Sequence, residues 1–204
     1  MKGYVSRMTL GLAVTAVVSL PAQAGTTTYK IDPRHSSAQF AVTHLMISTV
    51  RGEFHAVNGT VIVDDADVSK CSVSVTIDAT TVDTREPDRD KHLRSADFFD
   101  VANHPTMTFV STKVEPAGPE KLRVTGDLTI RGVTKPVVLE VTAPKAAIKD
   151  PWGLQRTAVS GSTKINRQDF GVAWNKNLDS GGVVVGDNVD ITLDVEMFVP
   201  PPSK

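Results

Sequence analysis

The sequence predicts an all-β fold, an antiparallel sheet folded as a sandwich or closed as a barrel, with one short helix near residues 86–95. Two observations carry this. Apolar and polar residues alternate with a period of two over several long stretches, the pattern of strands with one dry and one wet face. Turn-forming residues recur between those stretches, giving eight to ten short strands. A third observation leans toward a barrel with space inside. Phe, Trp and Tyr make up only 5% of the chain, and strands rich in valine, threonine and alanine can enclose a ligand instead of filling the interior with side chains.

The chain begins with a leader. Lys2 and Arg7 precede an apolar run from Met8 to Leu20, and Ala22-Gln23-Ala24 supplies a small-x-small cleavage pattern. The run is shorter than the roughly 20 residues of a membrane-spanning helix, and no transmembrane segment follows it. Residues 1–24 are therefore expected to be a signal peptide, and the rest to be exported, with the bacterial periplasm favoured over full secretion. Removal leaves 180 residues, enough for one domain with a real core. It also leaves 20 Lys+Arg against 23 Asp+Glu, a net charge of −3. That balance argues against nucleic acid or an anionic surface as the main partner.

Asn58-Gly59, between Phe54/Ala56 and Val61/Val63, predicts a hairpin turn. Cys71, Val73, Val75 and Ile77 share one face of the next strand. Cys71, the only cysteine, cannot form an intrachain disulfide and reads as a small core residue. From Asp83 to His104 the alternation stops. Here Thr84 as cap, Pro87 in the first turn, and Glu86 and Asp88 near the positive end predict a short helix. Asp88, Lys91, His92 and Ser95 fall on one flank, with Leu93, Phe98 and Phe99 as apolar anchors. Asp90 and Lys91 are expected in solvent.

Further along, Pro116 to Glu120 and Arg131-Gly132 mark turns around a strand whose dry face is Leu122, Val124, Gly126, Leu128 and Ile130. Pro136 must sit at a strand start or edge, because it cannot donate to a ladder. The last strand places Val189, Ile191, Leu193, Val195, Met197 and Val199 on one face. Residues 200–204, beginning with three prolines, read as a disordered tail. The domain therefore spans residues 25–199.

Candidate chemistry is sparse. Asp179-Ser180-Gly181-Gly182 is similar to a serine-protease nucleophile loop, but Leu178 stands where that loop needs glycine, and no histidine has the matching context. The five histidines, 35, 44, 55, 92 and 104, lack the spacing of a zinc site. No phosphate loop or cofactor motif is present, so no catalytic residue, metal or cofactor is assigned. The alternative function is an exported enzyme or metal protein using Asp88, His92, Asp97 and His104, a carboxylate–imidazole grouping suited to acid–base work. It lacks an obvious nucleophile.

Taken together the motifs resemble the YceI-like family of exported bacterial proteins. The matching residues are Tyr29-Lys30-Ile31-Asp32 with His35-Ser36, Phe40 to His44, and Gly52-Glu53-Phe54. They continue through Asp90-Lys91-His92-Leu93-Arg94-Ser95 with Asp97-Phe98-Phe99, then Pro105 and Phe109. Gly126-Asp127-Leu128-Thr129-Ile130, Gly132-Val133-Thr134-Lys135-Pro136-Val137 and Asp150-Pro151-Trp152-Gly153 follow. Arg167, Asp169-Phe170-Gly171 and the strand from Val189 complete the match, which spans Thr27 to Val199. The resemblance implies a lipocalin-like antiparallel β-barrel of about eight strands that binds a long isoprenoid-type lipid, polyprenyl or quinone-like, for carriage, storage or stress-related handling in the periplasm. Strand parity then selects Phe40, Val42, Phe54, Val73, Val75, Phe109, Leu128, Ile130, Ile165, Phe170 and Trp174 as the ligand-binding wall. Strand edges allow a homodimer, a state the sequence leaves open.

Overall fold

The computed structural model describes residues 25–202. The leader assigned to residues 1–24 and the last two residues of the tail lie outside the described residues. The strands are β1 (Thr26–Ile31), β2 (Ser37–His44), β3 (Ser48–Phe54), β4 (Val57–Asp64), β5 (Ser72–Asp78), β6 (Val82–Asp83), β7 (Thr106–Pro116), β8 (Lys121–Ile130), β9 (Val133–Thr142), β10 (Ile148–Lys149), β11 (Gln155–Asn166) and β12 (Val185–Phe198). One α-helix, α1 (Pro87–Arg94), lies between β6 and β7.

Every strand pairing is antiparallel, and eight of the strands close a ring in the order β1-β4-β5-β7-β8-β9-β11-β12 and back to β1. The expected barrel is therefore present. Its hub is β12, 14 residues long. One edge pairs with β11 from Arg156↔Phe198 to Asn166↔Asn188. The other is shared, with β2 along Val185–Asp194 and β1 at Met197 and Phe198. A flap of β2, β3 and β6 thus continues the wall where β1 stops.

The dry faces read from alternation are the inner faces. Val124, Gly126 and Ile130 of β8 are buried, as is Met197 of β12, which is fully enclosed. The β8–β9 connection is the expected tight turn, with Arg131 and Gly132 both at positive φ, 50° and 72°. Gly118 and Glu120 do the same between β7 and β8. Pro136 lies opposite Asp127 in a stretch where β9 has only β8 beside it, since β11 joins at Glu140 and Val141. The Asp179–Gly182 segment is a turn closed on itself, Leu178 N donating to Gly182 O and Gly181 N to Leu178 O.

Two local expectations are corrected. Asn58-Gly59 is not a turn but the interior of β4, opposite Thr76 and Val75 of β5. β3 and β4 do not pair with each other, and β4 lies between β1 and β5. Glycine is required at 59 because a Cβ would come within 2.4 Å of the Ser74 carbonyl oxygen. The helix is capped by Glu86, not Thr84. The Glu86 carboxylate accepts from the backbone N–H of Asp88 and Arg89 at 3.4 and 2.6 Å, and Pro87 takes the first helical position. Arg85, at φ 63°, turns the chain between Thr84 and the cap and sends Thr84 inward.

Candidate functional site

The barrel encloses a cavity of about 580 Å³ whose wall is almost wholly apolar. On β12 the lining runs from Val185 to Val195, ten residue steps or at most about 33 Å of strand given the bulge between Val185 and Val189. All eleven residues chosen by strand parity border it: Phe40 and Val42 on β2, Phe54 on β3, Val73 and Val75 on β5, Phe109 on β7, Leu128 and Ile130 on β8, Ile165 on β11, then Phe170 and Trp174. Parity on other strands would have found Val61, Leu139, Val141, Val159 and Leu193, which share the wall. The lining residues Arg89 and Arg167 carry no such periodic signal.

Two phenylalanines keep the lumen open by lying flat. Phe40 faces Gly52 across the β2–β3 pair, where a Cβ would sit 2.5 Å from the ring's Cζ. The Phe109 ring likewise covers Gly126, whose absent Cβ would lie 2.5 Å from the ring and 2.5 Å from Val110 O. A glycine under each ring lets it follow the wall. Gly126→Ala is expected to cost about 1–3 kcal/mol by overpacking and to tilt Phe109 into the lumen. Denaturant melts together with the cavity volume of the variant check this, and a neutral substitution would contradict it.

The α1 end of the cavity is lined by aromatics. Phe98, Phe170 and Val172 are buried there with Phe54 and Ile130. The His92 ring stands edge-on to Phe98 and Trp174, centroids 5.0 Å away in each case, and its Nε2 lies 2.8 Å from Asp97 Oδ2. Leu93, Phe98 and Phe99 all reach the cavity, as the anchor reading expected. Asp90 does not: expected in solvent, it is buried. Its Oδ1 accepts from the Thr84 backbone N–H at 2.8 Å and from the Thr84 hydroxyl. This side of the helix is thereby pinned to the chain before it, while Lys91 is exposed. Arg94 donates to the carbonyls of Thr80 and Val82, tying the helix to β6.

Arg167 braces the same end. Only 5% exposed, it donates from Nε to Gly186 O, from Nη1 to Val172 O and Trp174 O, and from Nη2 to Val185 O, at 2.5–3.2 Å.

Of the alternative acid–base group, the structure brings together His92 and Asp97 only. His104 lies against the β8–β9 turn, where a Cβ on Gly132 would come within 2.8 Å of its ring. Among the described residues the one group of three metal-type ligands is elsewhere: Asp32, His35 and Glu196, within 4.8 Å of one another. A cation is already supplied there. Arg156 Nη1 sits 2.8 Å from Asp32 Oδ2 and 2.7 Å from Glu196 Oε1, while its Nε is 2.7 Å from Asp150 Oδ2. A metal would have to displace that guanidinium.

Burial opposes ionisation of Asp32, but hydrogen bonds from Arg156, His35 and Arg34 hold its carboxyl well below the usual range. A depressed folded-state pKa means stability that is present above the unfolded value, about 3.9, and lost as pH falls toward the folded one. The wild type is expected to lose stability steeply below about pH 4. Asp32→Asn should be less stable at pH 7 with a flatter acid limb, measured by urea unfolding across pH. An unchanged limb would show that Asp32 is not coupled to folding.

A closed antiparallel barrel with an apolar lumen and a short helix at one end defines a class of lipocalin-like architecture. The chain belongs to the YceI-like family: the YceI-like domain matches residues 29–197. It is 41% identical over 167 residues to a UPF0312 protein of Vibrio cholerae, covering 81% of this chain and 87% of that one. It is 40% identical over 189 residues to protein YceI of Escherichia coli O157:H7, covering 92% and 95%. Among solved structures, BcnA of Burkholderia cenocepacia is similar with TM-score 0.69 and 26% identity over 81% of this chain and 98% of that chain. A polyisoprenoid binding domain from Saccharophagus degradans, implicated in plant cell wall breakdown, shares the fold at TM-score 0.61 and 19% identity, covering 85% and 99%.

Proposed function

We propose that this protein holds a long isoprenoid-type lipid in its barrel and carries or stores it in the periplasm, after export directed by residues 1–24. The observation that carries this reading is the cavity itself, which follows β12 from Val185 to Val195 and has an almost wholly apolar wall. A polyprenyl or quinone-like tail has the same character. Its binding energy would come from burial, about 25 cal/mol per Å² of apolar surface removed from water, with few polar contacts needed to orient it. The Saccharophagus degradans neighbour, a polyisoprenoid binding domain, supports the choice of ligand. The reading assigns the barrel no catalytic step, and residues 25–199 act as one unit.

The test is to purify the protein from cells without detergent, extract it with organic solvent and identify the lipids by mass spectrometry. An isoprenoid lipid near one per chain is expected. No co-purifying lipid, combined with no binding of added prenyl chains, would overturn the proposal.

A further inference from the structure

The charges that border the cavity are sorted by sign along it. At one end, beside Val63 and Val195, stand Asp64 and Asp65. At the other stand Arg89, His92 and Arg167, with His44 paired to Val185 nearby. His92, Arg167 and His44 belong to one end because His92 packs on Trp174, whose carbonyl Arg167 holds, and Arg167 also holds the carbonyl of Val185, the partner of His44. Arg89 lies one turn before His92 on α1. The acids near the helix, Asp90 and Asp97, do not border the cavity and are tied to Thr84 and His92.

Within the basic end the side chains differ in what they have left to give. Arg167 spends Nε, Nη1 and Nη2 on backbone carbonyls. His92 spends Nε2 on Asp97. Arg89 is fixed by Nε to the Thr84 hydroxyl at 2.7 Å and by Nη2 to the Thr84 carbonyl at 3.0 Å. Its Nη1 makes no hydrogen bond among the described residues. The guanidinium is therefore held rigid with one donor edge unused, a pre-organised partner for an anionic oxygen.

We infer that the cavity binds its amphiphile in one direction, with an anionic phosphate head on Arg89 at the α1 end and the tail running toward Asp64 and Asp65. The field favours this direction twice, since the carboxylates repel a phosphate from their end as the guanidiniums attract it to the other. A neutral alcohol or quinone head can accept one hydrogen bond from Arg89 but lacks the ion-pair attraction, so Arg89 sets head-group preference through the charge of the phosphate. The inference rests on the isoprenoid reading above and adds to it the head group and the orientation.

The test uses geranylgeranyl monophosphate and geranylgeraniol, identical tails with and without the charge, titrated against lipid-free protein. Trp174 lies at the basic end and serves as the fluorescent reporter, in a Trp152→Phe background because Trp152 is 83% exposed and would add signal unrelated to the cavity. At pH 7 the phosphate is expected to bind about tenfold or more tighter than the alcohol. Arg89→Met should remove most of the phosphate's advantage while changing the alcohol's affinity much less, and Arg89→Lys should keep part of the preference. Added salt should shrink the preference in the wild type. Equal affinities for the two ligands in the wild type overturn the inference, as does an undiminished preference in folded Arg89→Met. If Arg89→Met does not fold, the wild-type pair, its salt dependence and the lysine variant decide the matter. Binding of neither ligand sinks the isoprenoid reading itself, whereas equal binding of both leaves that reading standing and removes only the head-group assignment.

Discussion

Arg167→Met is expected to lower the unfolding free energy by about 3–5 kcal/mol, the scale for removing one member of a buried charged network. Arg167 is almost fully enclosed, and it organises a stretch with little regular structure, from Phe170 to Val185. Its guanidinium gathers the carbonyls of Val172, Trp174, Val185 and Gly186 onto one planar fork. Burial lowers its pKa, opposed by the charge of Asp187, whose Oδ1 lies 3.6 Å from Nη2. A methionine fills similar space but leaves those carbonyls without their donor in a region that water reaches poorly, which is the larger part of the cost. Arg167→Lys should not rescue it, because one ammonium cannot span a fork of carbonyls. Urea unfolding gives the direct measurement. Loss of less than about 1 kcal/mol would show that water replaces the guanidinium, and that the α1 end is wetter than its geometry indicates.

Leu193→Trp is expected to block the cavity while the barrel stays folded. Leu193 stands near the middle of the inward face of β12 and borders the lumen. It packs beside the two apolar clusters that line the part away from the helix. An indole there occupies the path of the tail. If it excludes about three methylene groups, the loss is about 2.4 kcal/mol, or roughly 50-fold in affinity. The substitution faces open space, so its thermal midpoint should move by only a few degrees. Titration with a prenyl alcohol, alongside circular dichroism, separates the two effects. Undiminished binding by a folded variant would place the lipid outside the barrel.

Much of the wall is legible in the sequence because alternation is a local property. A residue's face follows from its parity along the strand, which is why the nine positions selected on six strands all reach the same lumen. Phe170, ending a short 3-10 turn, and Trp174, outside the strands, reach it for reasons parity does not supply. The helix was legible for a similar reason, Pro87 and the acids of its first turn being local start signals. The same local reasoning failed at Asn58-Gly59, a dipeptide that forms tight hairpin turns but here lies in mid-strand. What demanded glycine was the approach of the Ser74 carbonyl on β5, a contact no local pattern reveals.

The charged residues follow the opposite rule. Asp90 looked like any acid on an exposed helix, and its burial depends on where Thr84 turns. Arg156 meets Asp32 across 124 residues of sequence. The sorting of Asp64 and Asp65 from Arg89 and Arg167 exists only once β12 has brought the ends of the barrel into register. Short-range steric and apolar preferences thus determined which faces turn inward, and that much belongs to the sequence alone. Which charges meet, and which end of the cavity is basic, was decided by the tertiary structure. Coulombic and hydrogen-bonding partners are selected by distance in space, and sequence separation carries almost no information about it.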